Sequence, residues 1–506
     1  MKKLLANLIV LSLLICSLAA CNSADSTSKN DSQAASSKQD NTSTASGADS
    51  QGEKDPYAHL KGINLGGRNV TILVEDNGST RYMSREILPY EKNPDIINTA
   101  ITARNNKVET LLNCKLVEVR ANSTTGDTIS IIRNEIMGTS TYDLVMPYMP
   151  AAAALAADGA FLDLKTQSDI IKLDNNYWDD KAVKDLSIGG KVFFATGDFS
   201  LLTFDCTHAI VFNKTVVTQN PDLEDPYKLL NEGKWTFDAL YKNAKLVTAE
   251  ADGIDGMTWE DKWGFFMNTN FATSMFVGAG ARLTSKNSDD LPYITLKTEK
   301  ASTIIDKLVT MVNDKSSTII IESDMNDLKG KYDNVYTAAT ASFAENRALF
   351  RALAIVDLNE LQVYKEANYG LLPIPKFNEA QENYHNIVSA VYASCFAIPT
   401  QVADPKGAAA VAEALAISST DTVRKQYYEV LLKGRQIADA DGEKALDLIF
   451  NNRVYEMGTI YIWGTLSSIV YDVVLSGSNT LESKLSTTED QINEAIKATI
   501  DAFSNN

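Results

Sequence analysis

Apolar and β-branched residues run together in Asn69-Val-Thr-Ile-Leu-Val-Glu75 and stop at Asp76-Asn77-Gly78. A short apolar run closed by turn formers reads as a buried strand. The spacing of Ile97, Ile101, Val108, Leu111 and Leu112 predicts a helix, and 114–119 a second strand. A helix over 129–137 follows, then a third strand over 141–146 that Pro147 ends. Strand and helix in alternation predict an α/β fold with parallel pairing. Ligands of such sheets bind beyond the carboxyl ends of the strands, which directs attention to 75–78 and 147–150.

Two more apolar runs, 191–197 and 208–213, read as strands, and Trp235 to Val247 as a helix with Thr236 as its N-cap. Phe343 to Leu353 has helical spacing. The prolines of Tyr369-Gly-Leu-Leu-Pro-Ile-Pro375 favour extended backbone before them, and 391–398 reads as a strand. Beyond Pro405 nearly everything is helical in pattern, over 408–418, 421–433, 443–452, 456–475 and 487–503. The chain carries no internal repeat.

The amino-terminal sixty residues follow another logic. Lys2 and Lys3 precede an apolar run from Leu4 to Ala20, broken only by Asn7 and Ser12, with small residues at its end. This is the layout of a secretory signal, and the run lies near the lower limit for spanning a bilayer. Leu18-Ala19-Ala20-Cys21 resembles a bacterial lipobox. That resemblance implies cleavage before Cys21, acylation of its thiol and loss of residues 1–20. Residues 22–54 hold no aromatic residue and no Val, Ile, Leu or Met. Such a stretch cannot bury enough surface to offset the entropy of ordering it. Residues 21–61 are therefore expected to form a tether, with an end-to-end distance of about 30 Å.

The body beyond the tether has about 440 residues, enough for two or three folding units. Loss of the signal removes two lysines and no acid, taking the formal charge from −18 to −20. That surface argues against nucleic acid and against direct docking on anionic lipid. Cys114, Cys206 and Cys395 are odd in number and far apart, and His59, His208 and His385 are scattered. Neither a disulfide framework nor a zinc site is indicated. Asp439-Ala-Asp-Gly442 and Glu250-Ala-Asp-Gly-Ile-Asp-Gly256 invite calcium but misplace the glycine and final glutamate of an EF-hand loop. No metal and no cofactor is expected.

Several segments, none a catalytic motif, occur in a shared order. They are Tyr142-Asp-Leu-Val, Gly190-Lys-Val-Phe-Phe-Ala before Ile210-Val-Phe-Asn-Lys214, Lys234-Trp-Thr-Phe-Asp-Ala-Leu240, Phe343-Ala-Glu-Asn-Arg-Ala-Leu-Phe350 and Tyr369-Gly-Leu-Leu-Pro-Ile-Pro-Lys376. Together with the lipobox they resemble the extracellular solute-binding proteins of bacterial sugar ABC transporters, family 1, of the maltose-binding type. The stretch from Asp439 to Trp463 looks like a clostridial-type branch.

The resemblance implies a two-lobed, periplasmic-binding-protein-like (type II) α/β fold with a hinge and an interlobe ligand cleft. By position the first lobe would hold 66–205 and 343–400, and the second 206–342 and 401–506. It further implies a lipid-anchored monomer on the outer face of the cell membrane. Such a receptor captures a carbohydrate, most simply an oligosaccharide, and delivers it to ABC permease subunits that use ATP elsewhere. The absence of GxxxxGK[ST] fits that division of labour.

A sugar site needs carboxylates, amides and arginines for paired hydroxyls, and aromatic faces for the ring. Candidates at strand ends are Asp76 and Asn77, which serve equally well as turn formers, and Tyr148, held between Pro147 and Pro150. Positions matching the family's cleft add Asp198, Phe199, Asp205, Asn270 and Phe271. Arg347 and Arg351 would share a helical face, with Arg347 the better salt-bridge former and Arg351 the ligand candidate. Ala352 and Ala354 stand where relatives place a stacking aromatic. Trp463 is the leading candidate by position, with Arg453, Tyr455 and Tyr461 near it, although a tryptophan in an apolar helix is more often core. The rival readings are a surface carbohydrate-active hydrolase and a receptor for a non-sugar polar solute. Sixty-five acidic residues make some close carboxylate pair inevitable, so abundance does not favour the hydrolase.

Overall fold

The computed structural model describes residues 55–76, 78, 81–122, 127–325, 327–328, 330–437 and 439–505. The signal, the lipobox with Cys21 and most of the tether lie outside them, as does Asn77. The tether was expected to run to residue 61, but 55–61 is docked. Leu60 is buried, the Tyr57 hydroxyl lies 2.9 Å from Ser418 Oγ, and His59 Nε2 lies 3.0 Å from Glu413 Oε1.

Three parallel strands build a first sheet: β1 (Asn69–Glu75), β2 (Lys115–Ala121) and β3 (Leu144–Met146), in the order β2-β1-β3. β1 is central, with Val70, Ile72, Leu73 and Val74 fully buried. A strand covered on both faces reads as a continuous apolar run, which is why its sequence is so legible. The helix Asp95–Leu112 buries Ile97, Ile101, Val108 and Leu112, and ends at Asn113 in the left-handed region. The stretches 191–197 and 391–398, expected as strands, form no ladder and make isolated bridges such as Val145↔Ala397 and Ala195↔Phe396, with Val391 and Tyr392 in a turn.

A second sheet contains β4 (His208–Asn213) and β5 (Trp263–Met267). A short hairpin, β6 (Thr284–Lys286) with β7 (Pro292–Ile294), follows in the chain. The sheet is completed by β8 (Thr318–Ile320), β9 (Ala348–Ala354) and β10 (Tyr369–Leu372), in the order β10-β4-β9-β5-β8. β11 (Asn386–Ile387) and β12 (Arg453–Val454) pair separately. Strands β5, β8 and β9 are mutually parallel and β4 runs against them. Their carboxyl ends and the amino end of β4 therefore share one edge. At Gly264 in β5 an added Cβ would lie 2.2 Å from the Ala244 carbonyl, so the helix Phe237–Val247 presses directly on the strand. That helix carries the expected cap, Thr236 accepting from the Ala239 amide.

Two expectations fail here for identifiable reasons. The helix predicted over 343–353 is the end of the helix Val335–Ala344 followed by β9. Asn346, at φ 63, turns the chain between them. All seven β9 residues are buried, so no two-residue alternation marked the strand. The pairing of β9 and β10 in the second sheet also moves 348–372 out of the lobe first expected for it. The helix Pro405–Ser419, in contrast, packs on Asp95–Leu112 beside the first sheet. The chain crosses between the sheets at Thr207 and Val388, which bridge to each other.

The carboxyl-terminal stretch is helical but differently divided. Residues 420–424 and 426–436 form π-helical turns that bury Val423, Tyr427, Leu432 and Gln436 at spacings of four to five. The helix expected over 456–475 is broken, because Ile462 and Gly464 have φ of 49 and 56. Among the described residues no helix is long and apolar enough to cross a membrane.

Candidate functional site

At the shared strand edge lies an open-mouthed cavity of about 460 Å³. One wall comes from the second sheet. Asn268 follows β5, Glu322 lies just past β8, Leu353 and Ala354 end β9, and His208 begins β4. The opposing wall comes from beside the first sheet: Arg81 and Tyr82 beyond β1, and Ser389, Val391 and Tyr392 on the returning crossover. Ligand sites beyond strand carboxyl ends have this arrangement.

Each wall residue is held by its own anchors. Tyr82 and Tyr392 stack with ring centroids 4.5 Å apart, and Tyr148 meets Tyr392 edge-on at 5.6 Å. The Tyr148 hydroxyl donates to the Tyr82 carbonyl at 3.2 Å. Downstream of Tyr82, Arg85 donates to buried Asp205 at 2.5 Å, and Glu86 accepts from Ser394 at 2.8 Å and the Leu202 amide at 2.9 Å. Burial pushes the Glu86 and Asp205 carboxyls up, while hydrogen bonds and, for Asp205, Arg85 pull them down. Arg81 forms ion pairs with Asp357 and, at 3.5 Å, with Glu360, both just past β9.

On the second wall, His208 Nδ1 lies 2.7 Å from Ser274 Oγ and its ring stacks on Phe271 at 5.3 Å. Burial lowers its pKa to about 4, so the ring is neutral at pH 7. Glu322 accepts from the Thr269 amide at 2.9 Å, the Thr269 hydroxyl at 3.1 Å and the Tyr336 hydroxyl at 3.2 Å. Asn268 Oδ1 is buried without a donor. The result is a polar chamber with one aromatic platform, suited to binding a hydroxyl-rich molecule.

Of the candidates from the sequence, Asn270 and Phe271 line this cavity. Tyr148 and Asp205 stand behind its wall as supports. Asp198 and Arg453 line a second cavity of about 170 Å³ with Asp179 and Arg424. There Arg453 pairs with Asp179 at 2.5 Å, and Asp198 with Arg424 at 3.1 Å and Thr420 at 2.7 Å. Burial raises the Asp198 pKa to about 6 despite these partners.

The remaining candidates serve elsewhere. Asp76 accepts from the Gly78 amide at 3.0 Å as a turn former. Phe199 packs among Trp178 and Phe396. Arg351 is on strand β9 rather than on a helix, 1 % exposed, with one long hydrogen bond to the Tyr336 carbonyl at 3.4 Å. Arg347 pairs with Glu345. Trp463 is 2 % exposed and donates to Thr499 at 2.9 Å, stacked on Tyr461, so it packs in the core and does not reach the cavity. Tyr461 donates to the Leu186 carbonyl at 2.8 Å, and Tyr455 to Asp179 at 2.7 Å.

Sequence reasoning missed Arg81, Tyr82, His208, Asn268, Glu322, Asp357 and Tyr392 as site residues. Four of the seven, His208, Asn268, Glu322 and Asp357, lie at or just past strand ends, and a correct reading of β5, β8 and β9 would have pointed to the last three. The two calcium-like loops are closed on themselves. Asp261 accepts from the Ala251, Asp252 and Thr258 amides, and Asp439 caps a helix through Gly442. Among the described residues no group of three or more His, Cys, Asp or Glu is placed to hold a metal ion.

No family model and no curated protein matches the chain. Solved structures do. An ABC substrate-binding protein from Listeria monocytogenes in complex with cycloalternan aligns at TM-score 0.53 and 14 % identity, over 85 % of this chain and 99 % of that one. A sugar transporter from Rhizobium etli in an open conformation aligns at 0.53 and 13 %, over 86 % and 99 %. MalX from Streptococcus pneumoniae in complex with maltopentaose aligns at 0.50 and 15 %, over 85 % and 99 %. At such identities the likeness establishes the fold, which is the two-lobed periplasmic-binding-protein-like α/β fold expected from the sequence.

Proposed function

We propose that this protein is the substrate-binding receptor of an ABC importer, taking a carbohydrate into the cavity between its two sheets and passing it to membrane permease subunits. The observation that carries this reading is the cavity itself. A stacked Tyr82–Tyr392 platform faces Asn268, Asn270 and Glu322 across a space of about 460 Å³, at the strand edge where this fold binds ligands. The solved relatives with cycloalternan and maltopentaose support a saccharide. Binding rather than turnover is the proposed activity. The lobes are proposed to meet at the Thr207–Val388 crossover and to close on the ligand.

Delivery to a permease fits anchorage through a lipid on Cys21, with residues 22–54 as the tether. Mass spectrometry of the membrane-bound protein should find an acylated Cys21 as the first residue, and C21A should release the protein from the membrane. The central test is a thermal-shift screen over mono- and oligosaccharides, since a ligand that binds only the folded state raises apparent stability. A shift that Tyr82→Ala removes supports the site. Silence across a broad panel, or turnover of the saccharide, overturns the reading.

A further inference from the structure

We infer that the cavity prefers a saccharide carrying a protonated amine over its neutral and acidic counterparts, with Glu322 as the residue that reads the charge; this rests on the saccharide reading above. Three carboxylates and one guanidinium line the wall. Arg81 is answered twice, by Asp357 and by Glu360. Glu322 is the carboxylate left over. Its donors are the Thr269 amide, the Thr269 hydroxyl and the Tyr336 hydroxyl, all neutral. These three contacts also hold it at the end of β8, facing the cavity.

The rest of the chamber does not supply the missing positive charge. His208 is neutral at physiological pH, because burial lowers its pKa to about 4. Arg351 lies behind the wall, and the charges it feels most are those of Arg81 and Glu360. Asn268 Oδ1 adds a further acceptor without a donor. When a ligand covers Glu322, water leaves a carboxylate that no cation compensates. Hydroxyls would satisfy its lone pairs but not its charge. An ammonium supplies donors and charge together, so its bond to the carboxylate gains a Coulomb attraction that a hydroxyl's lacks. A uronate would set like charges against each other across a space that is losing water.

Calorimetric titration at low salt with three matched disaccharides tests this: one of glucose, one of glucosamine and one of glucuronate. The expected order is glucosamine about tenfold tighter than glucose, and glucuronate at least tenfold weaker. Glu322→Gln keeps the shape and removes the charge, so the advantage of the amine should fall below about threefold. Raising the pH above the amine's own pKa should erase the same advantage in the unaltered protein, which tests the charge without any substitution. Equal affinities, a preference for the uronate, or an amine advantage untouched by E322Q or by pH overturns the charge assignment alone. Silence with all three sugars and with the wider panel overturns the saccharide reading and this inference with it.

Discussion

Two buried titrating side chains make opposite demands on pH. His208 has its pKa lowered to about 4 by burial. The unfolded chain therefore binds the proton more readily, and stability present above about pH 6.5 is lost as pH falls towards 4. Asp198 is shifted the other way, to about 6, again mainly by burial. Its stability is full below about pH 4 and is lost as pH rises through 6. Each shift corresponds to about 3 kcal/mol at 1.36 kcal/mol per unit. His385 shares the direction of His208, with its pKa also lowered to about 4. In urea melts from pH 4 to 7, His208→Gln should flatten the acid-side loss. Asp198→Asn should steepen the net rise with pH and stabilise the protein at pH 7. If neither changes the slope, these two groups are not buried as described.

At the scale of elements, close approach and buried donors set the stability. Gly264→Ala places a methyl 2.2 Å from the Ala244 carbonyl, so helix and strand must separate. A loss of about 2–4 kcal/mol is expected in chemical denaturation. Glu413 is fully buried and accepts from Tyr177 at 2.5 Å, Trp178 at 2.9 Å and the Lys172 amide at 3.1 Å, beside His59. Glu413→Gln turns an acceptor towards donors into a donor and should cost about 2–3 kcal/mol. Trp463→Ala should cost about 3–5 kcal/mol by leaving a core cavity. If instead it abolishes the saccharide response in protein that remains folded, Trp463 belongs to the site after all. Elements with amphipathic or run-like patterns were legible in the sequence, as β1 and the helix Phe237–Val247 show. β5 and β9 were not, because Trp263–Met267 is only five residues long and Ala348–Ala354 has Arg351 inside its apolar run and alanines and leucines that favour helix.

For the whole molecule, the Arg81 contacts to Asp357 and Glu360 join a segment beyond β1 to one beyond β9, across the cavity. Arg81→Gln should therefore loosen the approach of the two walls and weaken ligand affinity by about tenfold, the scale of a charged hydrogen bond. Small-angle scattering should show a larger radius of gyration in the unliganded variant than in the unaltered protein. An unchanged radius and unchanged affinity would remove Arg81 from both roles. The β6–β7 hairpin also reaches across, Lys286 donating to the Ser187 carbonyl at 3.0 Å. The carboxyl-terminal helix does likewise, with Phe503 against Phe193 at 4.7 Å.

The sequence by itself determined the α/β class, the alternation around β1 and the largely helical stretch beyond Pro405. It also supplied the resemblance that implied a two-lobed fold and led to the receptor proposed above. These are carried by local patterns, which depend on period and turn chemistry alone. Only the tertiary structure decided which sheet β9 and β10 join, that Trp463 faces Thr499, and that Arg81, Tyr82, His208, Asn268, Glu322 and Tyr392 meet around one cavity. The site brings together strand ends from distant parts of the chain, and no period in the sequence records which ends lie side by side. A tryptophan or an arginine in an apolar stretch looks the same whether it packs or binds. Its neighbours across the fold, not along the chain, make the difference.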